Sequence, residues 1–245
     1  MKSHRISSVS FLWIAALLLF ASCSDSSTGG SNSGLSEDQE NVIQYFKDVA
    51  LGFEFGNALE ITRKWNEDIL IFVDGEENQM LRDELDTVVS ELNNLLALDD
   101  IEISTTTDST THFNYYLFLG PGEEYAQIEP NAQGYVESNF GLFFVNMNAA
   151  NQIVSGTMYV DTNRPAPMNQ RHLLREELTQ SLGMAKDSDK YSDSIFNSSY
   201  SVDVTEFSEY DEAVIRLLYH PSMKAGFNAS QADSVLYGII DDVIY

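Results

Sequence analysis

A single cysteine in 245 residues excludes an intramolecular disulfide and any four-cysteine zinc site. Basic residues are also scarce: 13 Lys and Arg stand against 38 Asp and Glu, a formal net charge of −25. A surface this acidic repels phosphate backbones, so nucleic acid is excluded as a partner. The four histidines (His4, His112, His172 and His220) are scattered along the chain, which leaves little for a His-rich metal site. No phosphate-binding loop, nucleophile elbow, internal repeat or second linker is visible. Apolar material is not lacking. Hydrophobic residues make up 43% of the chain and include 14 Phe, 12 Tyr and 2 Trp, enough for a real core.

The N-terminus reads as an address rather than as structure. Lys2, His4 and Arg5 precede an apolar run from Val9 to Phe20. At roughly a dozen residues the run falls short of the about 20 needed to span a bilayer. It ends in Leu19-Phe20-Ala21-Ser22-Cys23, which resembles the lipobox of bacterial lipoproteins, with Phe20 bulkier than the usual residue there. The resemblance implies a signal peptide over residues 1–22 and a lipidated Cys23 as mature N-terminus. It also implies a place in the bacterial cell envelope, anchored by lipid, with the outer membrane expected. Ser24 to Gly34 carries no apolar side chain, so residues 23–35 are expected to form a flexible tether. Ser36-Glu37-Asp38-Gln39 then reads as a capping box opening a helix through Val42, Ile43, Phe46, Val49 and Ala50. One domain over residues 36–245 is the simplest organisation.

Within it, near-alternation of Trp65, Ile69, Ile71 and Val73 predicts a strand in Ile61 to Val73. Leu81 to Leu96 predicts a long amphipathic helix. Further strands are expected at 101–105, 113–119, 140–147 and 153–160. Gly156 inside the last marks either a bulge or a close backbone approach. Arg164-Pro165-Ala166-Pro167 interrupts the chain before helices at about 170–182, 208–219 and 228–244. Strand, helix, four strands, then helices predict an α+β domain with one twisted sheet.

The helix at 170–182 carries whatever chemistry there is. On a helical wheel Glu177 lies about 40° from Leu173, inside an apolar arc completed by Leu174, Leu178, Ser181 and Leu182. A carboxylate there is costly unless it is paired, hydrogen-bonded or metal-bound. Gln180 and Glu176 fall on the edge of the same arc. His172 stands one turn before Glu176, a spacing that predicts a surface histidine–carboxylate pair.

Glu176-Glu177-Leu178-Thr179-Gln180-Ser181-Leu182-Gly183 resembles the zinc-protease signature HExxHxxG with both histidines replaced. The glutamate that would be general base is kept as Glu177, and the glycine as Gly183. Asp193-Ser194-Ile195-Phe196-Asn197 resembles the metzincin Met-turn, with Phe196 where methionine would lie. Residues 165–227 together resemble a bacterial lipoprotein family, domain-of-unknown-function family 2927, related to metallopeptidases. The resemblance implies a zincin-like, metzincin-type mixed sheet and a degenerate site that binds a peptide or protein without catalysis. The third zinc ligand of metzincins would fall at Lys186, whose charged ammonium has no lone pair to give. No cofactor is therefore expected, and Lys186 is expected to enter the vacant site and pair with Glu176 or Glu177. The alternatives are an active hydrolase and a purely structural envelope protein. The hydrolase would use zinc or another divalent metal on Glu176, Gln180 and Asp187, with Glu177 as base.

The anchor is open to test. Replacing Cys23 with serine should leave the precursor unprocessed or release the protein from membranes, because two or more acyl chains give stable attachment where one is marginal. Cell fractionation with mass analysis of the N-terminus decides this. A wholly soluble wild-type protein with an unmodified N-terminus counts against lipidation.

Overall fold

The computed structural model describes residues 34–54, 58–199 and 204–244; the predicted signal peptide, Cys23 and most of the tether lie outside these. Ser36–Tyr245 packs as one unit. No helix of the described residues is long and apolar enough to cross a membrane.

Helix α1 (Glu37–Ala50) begins as its sequence predicts. Ser36 Oγ accepts from Gln39 N–H and Gln39 Oε1 accepts from Ser36 N–H, which satisfies two of the donors a helix start leaves open. The expected strand at 61–73 divides into β1 (Lys64–Trp65) and β2 (Ile69–Gly75). The exposed Asn66-Glu67-Asp68 breaks it. Asp68 is held locally instead, its carboxylate accepting from Glu102 N–H and its carbonyl from Asn114 Nδ2. Helix α2 (Gln79–Leu96) and strands β3 (Ile103–Thr106) and β4 (Tyr115–Leu119) follow. Short helix α3 (Gly122–Ile128), which periodicity did not reveal, leads to β5 (Gly141–Met147) and β6 (Gln152–Val160). Helices α4 (Pro167–Gln180), α5 (Glu209–Leu218) and α6 (Ala229–Ile239) complete the chain.

The six strands form one mostly parallel sheet. Strand β6 pairs parallel with β4, β4 with β2, and β2 with β3, while β1 pairs parallel with the start of β6. Only β5 is antiparallel, and it pairs with β6 alone, so it forms a sheet edge. Gly156 is a point of close approach: a Cβ there would lie 2.6 Å from the Tyr115 ring. The irregularity in register lies opposite, between Asn146 and Met147. The architecture is α+β, with six helices around a mixed sheet.

Helix α4 packs against β5 and β6 on one side and against α2 on the other. That leaves it buried on nearly every face although it carries many polar groups: Gln170, His172, Arg175, Thr179 and Gln180 are all buried. Its charge is met across the contact with α2. Arg175, 1% exposed, bonds Glu84, 2% exposed, through Nη2 at 3.0 Å and also reaches Glu91. Arg171 Nε adds a bond to the second Glu84 oxygen at 2.6 Å. The Arg175 guanidinium also stacks 4.7 Å from the Phe207 ring. The turn after α4 runs to Gly183, whose φ of +120° and whose hypothetical Cβ, 2.0 Å from the Arg63 carbonyl, both demand glycine.

Removing one partner of a buried ion cluster leaves an uncompensated charge, at about 3–5 kcal/mol. Glu84→Ala should therefore lower the urea midpoint by an amount corresponding to that loss. Glu91→Ala, at the solvent-exposed end of the same cluster, should cost well under half as much.

Candidate functional site

A groove of about 670 Å³ opens between the edge strand β5 and helix α4. Phe140, Gly141, Phe143, Val145 and Met147 line one wall, and Leu173, Glu176, Glu177 and Gln180 the other; Phe53, Glu54, Arg63 and Asp187 close the end. The residues singled out by the degenerate signature thus share one surface with the edge strand.

Glu177 reaches this groove for a steric reason. A Cβ on Gly141 would lie 2.8 Å from Glu177 Oε1 and 3.1 Å from Leu173 Cδ2, so the glutamate occupies space that a side chain at 141 would need. Gly141 is a site residue that the sequence did not announce, since a glycine at a strand start has many uses. Glu177 is half-buried, and no ion pair or hydrogen bond reaches its carboxylate among the described residues. Burial, and then the charges of Glu176, Asp187 and Glu54, push its pKa well above the ordinary carboxylate range.

Glu176 and Gln180, one turn apart, turn in opposite directions along α4. Glu176 Oε2 lies 3.2 Å from His172 Nε2. The pair anticipated at this spacing forms, but it is buried rather than on the surface, since the His172 side chain is 2% exposed. His172 Nδ1–H donates to the Val204 carbonyl at 2.6 Å, which leaves Nε2 for the glutamate. Burial alone would lower the His172 pKa, but the hydrogen bond and charge of Glu176 and the Val204 carbonyl raise it overall. Gln180 Nε2–H donates to Asp187 Oδ1 at 2.7 Å. Burial, then Glu54 and Glu176, push Asp187 up to about 7, against the opposing hydrogen bond from Gln180.

Lys186 does not enter the site. Its backbone N–H donates to the Val49 carbonyl at the end of α1, and its side chain runs past Gly52, with Cδ 3.6 Å from that residue's hypothetical Cβ. No ion pair among the described residues includes it, which corrects the expected pairing with Glu176 or Glu177. Phe196 lies fully buried, and its carbonyl accepts from Ser188 N–H at 2.8 Å, beside Asp187. Buried Asp211 fixes that segment by accepting from Ser194 Oγ at 2.6 Å and Ile195 N–H at 3.0 Å.

A metal does not fit the donor set. Among the described residues no three His, Cys, Asp or Glu side chains are grouped so as to hold an ion. Gln180 points an amide N–H at Asp187 where a ligand would present a lone pair, and Glu176 is engaged with His172.

Residues 39–238 match the family described as "Protein of unknown function (DUF2927)". The chain belongs to the DUF2927 family. Comparison with curated proteins gives no match. The family match spans both walls of the groove, so the edge strand and the degenerate signature belong to one family domain.

The raised Asp187 pKa has a definite sign in stability. An aspartate that binds its proton more tightly when folded adds stability below its unfolded value of about 4 and loses it as pH rises through about 7. Asp187→Asn keeps an oxygen for Gln180 and removes the charge. It should raise the melting temperature at pH 7.5 by about 2–4 °C, the response of a chain this size to ~1 kcal/mol, with solvent screening holding the effect to that order. The gain should vanish at pH 4, and differential scanning calorimetry at both pH values checks it.

Proposed function

We propose that the groove binds an extended peptide segment, which adds to the bare edge of β5 and lays side chains against α4. One observation carries this reading: among the described residues β5 is the one antiparallel strand, it pairs on one side only, with β6, and it forms one groove wall. An exposed edge strand offers a row of unused N–H and C=O groups, which is what strand addition uses. The half-exposed Tyr135, Phe140 and Met147 at the rim supply apolar contacts for alternate side chains.

We read the fold as zincin-like, supported by the placement of the signature-bearing helix beneath an antiparallel edge strand. The site is a binding site derived from a metallopeptidase-like scaffold, with the donor set speaking against a metal. With Cys23 lipidated, the protein works at the bacterial envelope on peptides or proteins there. An active hydrolase with Glu177 as base is the second reading, favoured by a carboxyl of strongly raised pKa placed in the groove.

Fluorescence anisotropy with labelled random decapeptides, followed by mass spectrometry of the same mixtures, separates the two. Saturable binding should be weakened about fivefold or more by Phe143→Ala, the loss expected on truncating an anchor contact. The peptides should be recovered intact. Cleavage abolished both by a chelator and by Glu177→Gln would establish the hydrolase instead.

A further inference from the structure

The groove floor is rich in carboxyl groups. Glu54, Glu177 and Asp187 line it, and among the described residues none of the three has a cationic partner within 4 Å. The one cation in the lining, Arg63, is turned away. Its Nη1 and Nη2 donate to the carbonyls of Ile61 and Leu59, both at 3.0 Å, and its guanidinium lies 4.7 Å from the Phe53 ring centroid. Lys186 runs past Gly52, and His172 pairs with Glu176. Gln180, only 6% exposed, spends an Nε2–H on Asp187, and among the described residues no hydrogen bond reaches its side-chain Oε1. The Gln180 side chain and three carboxyls line the groove together, while its upper walls are apolar: Tyr135, Phe140, Phe143 and Met147.

Building on the peptide-binding reading, we propose that the groove is selective for a peptide with a Lys or Arg side chain, whose charged head enters the floor formed by Glu54, Glu177, Gln180 and Asp187. Such a side chain matches the groove at both levels. Its apolar stem lies along aromatic and aliphatic walls, and its head presents only donors. A divalent ion fits less well, because it needs ligands converging on one point and the described acids do not converge so. A neutral or acidic side chain would leave the floor's acceptors desolvated and unpaired, at a cost that itself discriminates. The net charge of −25 draws cationic segments toward the molecule before they dock.

The test uses N-acetylated, C-amidated decapeptides of one Ala/Val/Ser background, carrying Lys, Arg, norleucine or Glu at a central position. With both termini blocked, that side chain is the only cation. Affinities are measured at pH 7.5 by isothermal titration calorimetry. The Lys and Arg peptides should bind at least about tenfold more tightly than the norleucine peptide, and the Glu peptide more weakly still. In Glu177→Gln and in Asp187→Asn, each checked for native melting, the ratio of Lys to norleucine affinity should shrink severalfold. Equal binding of Lys and norleucine peptides overturns the charge selectivity and leaves the peptide groove standing. Binding of none of the four overturns both. Stoichiometric calcium, magnesium or zinc binding that is lost in Glu177→Gln assigns the floor to a metal and overturns the proposal.

Discussion

Helix α4 is held in place by two arginines, buried Arg175 and part-exposed Arg171, that its side facing α2 presents to Glu84. A helix this polar does not go into a protein interior for hydrophobic reasons alone, since Arg175, His172, Gln170 and Gln180 must all give up water. Glu84 accepts from Arg171 with one oxygen and from Arg175 with the other, so both its oxygens are used and the charge is spread over two guanidinium groups. Such a cluster adds little net stability against an apolar replacement, but it fixes how the two helices register on one another. That register decides which residues of α4 face the sheet. With the arginines committed to α2, Leu173, Glu177 and Gln180 are the ones that meet β5 and the groove.

Much of this was legible in the sequence because buried surface leaves a period. Strands β3 to β6 and helices α1, α2, α5 and α6 lie near their predicted places. Where periodicity fails, the structure shows why. Helix α3 spans 7 residues and buries only Gly122 and Tyr125, too few positions to display a period. The single predicted strand through Trp65 and Ile69 is broken by Asn66-Glu67-Asp68, where Asp68 hydrogen bonds bridge β2 to the starts of β3 and β4.

The site was legible in part. The wheel placed Glu177 toward the interior correctly because Leu173, Leu174 and Leu178 set the buried arc. The one-turn spacing to Glu176 predicted the His172 pair but not its burial. Burial there comes from the segment around Val204 and Phe207, which no periodicity within α4 can report. Lys186 was misplaced for a similar reason. Its backbone is tied to Val49, a contact 137 positions away in the chain and invisible to local pattern. Gly141 left no signal at all, since its role is to make room for a residue of another element.

The two substitutions in the signature do more than remove imidazoles. In a zinc motif, ligands one turn apart point lone pairs at a common centre, with the general base between them. Here Glu176 looks back one turn along α4 to His172, and Gln180 looks past the helix end to Asp187. The pair that would share an ion is drawn apart along the helix axis, and the two side chains are occupied before any ligand arrives. Glu177, between them, keeps its position against Gly141 without a partner. A metal would have offset the negative potential of Glu54, Glu177 and Asp187; without one, burial and mutual repulsion raise all three carboxyls toward protonation. A positive group brought in by a ligand relieves that repulsion and pairs with the desolvated oxygens at once. On the proposed reading, charge is then the property by which the groove would recognise what enters it.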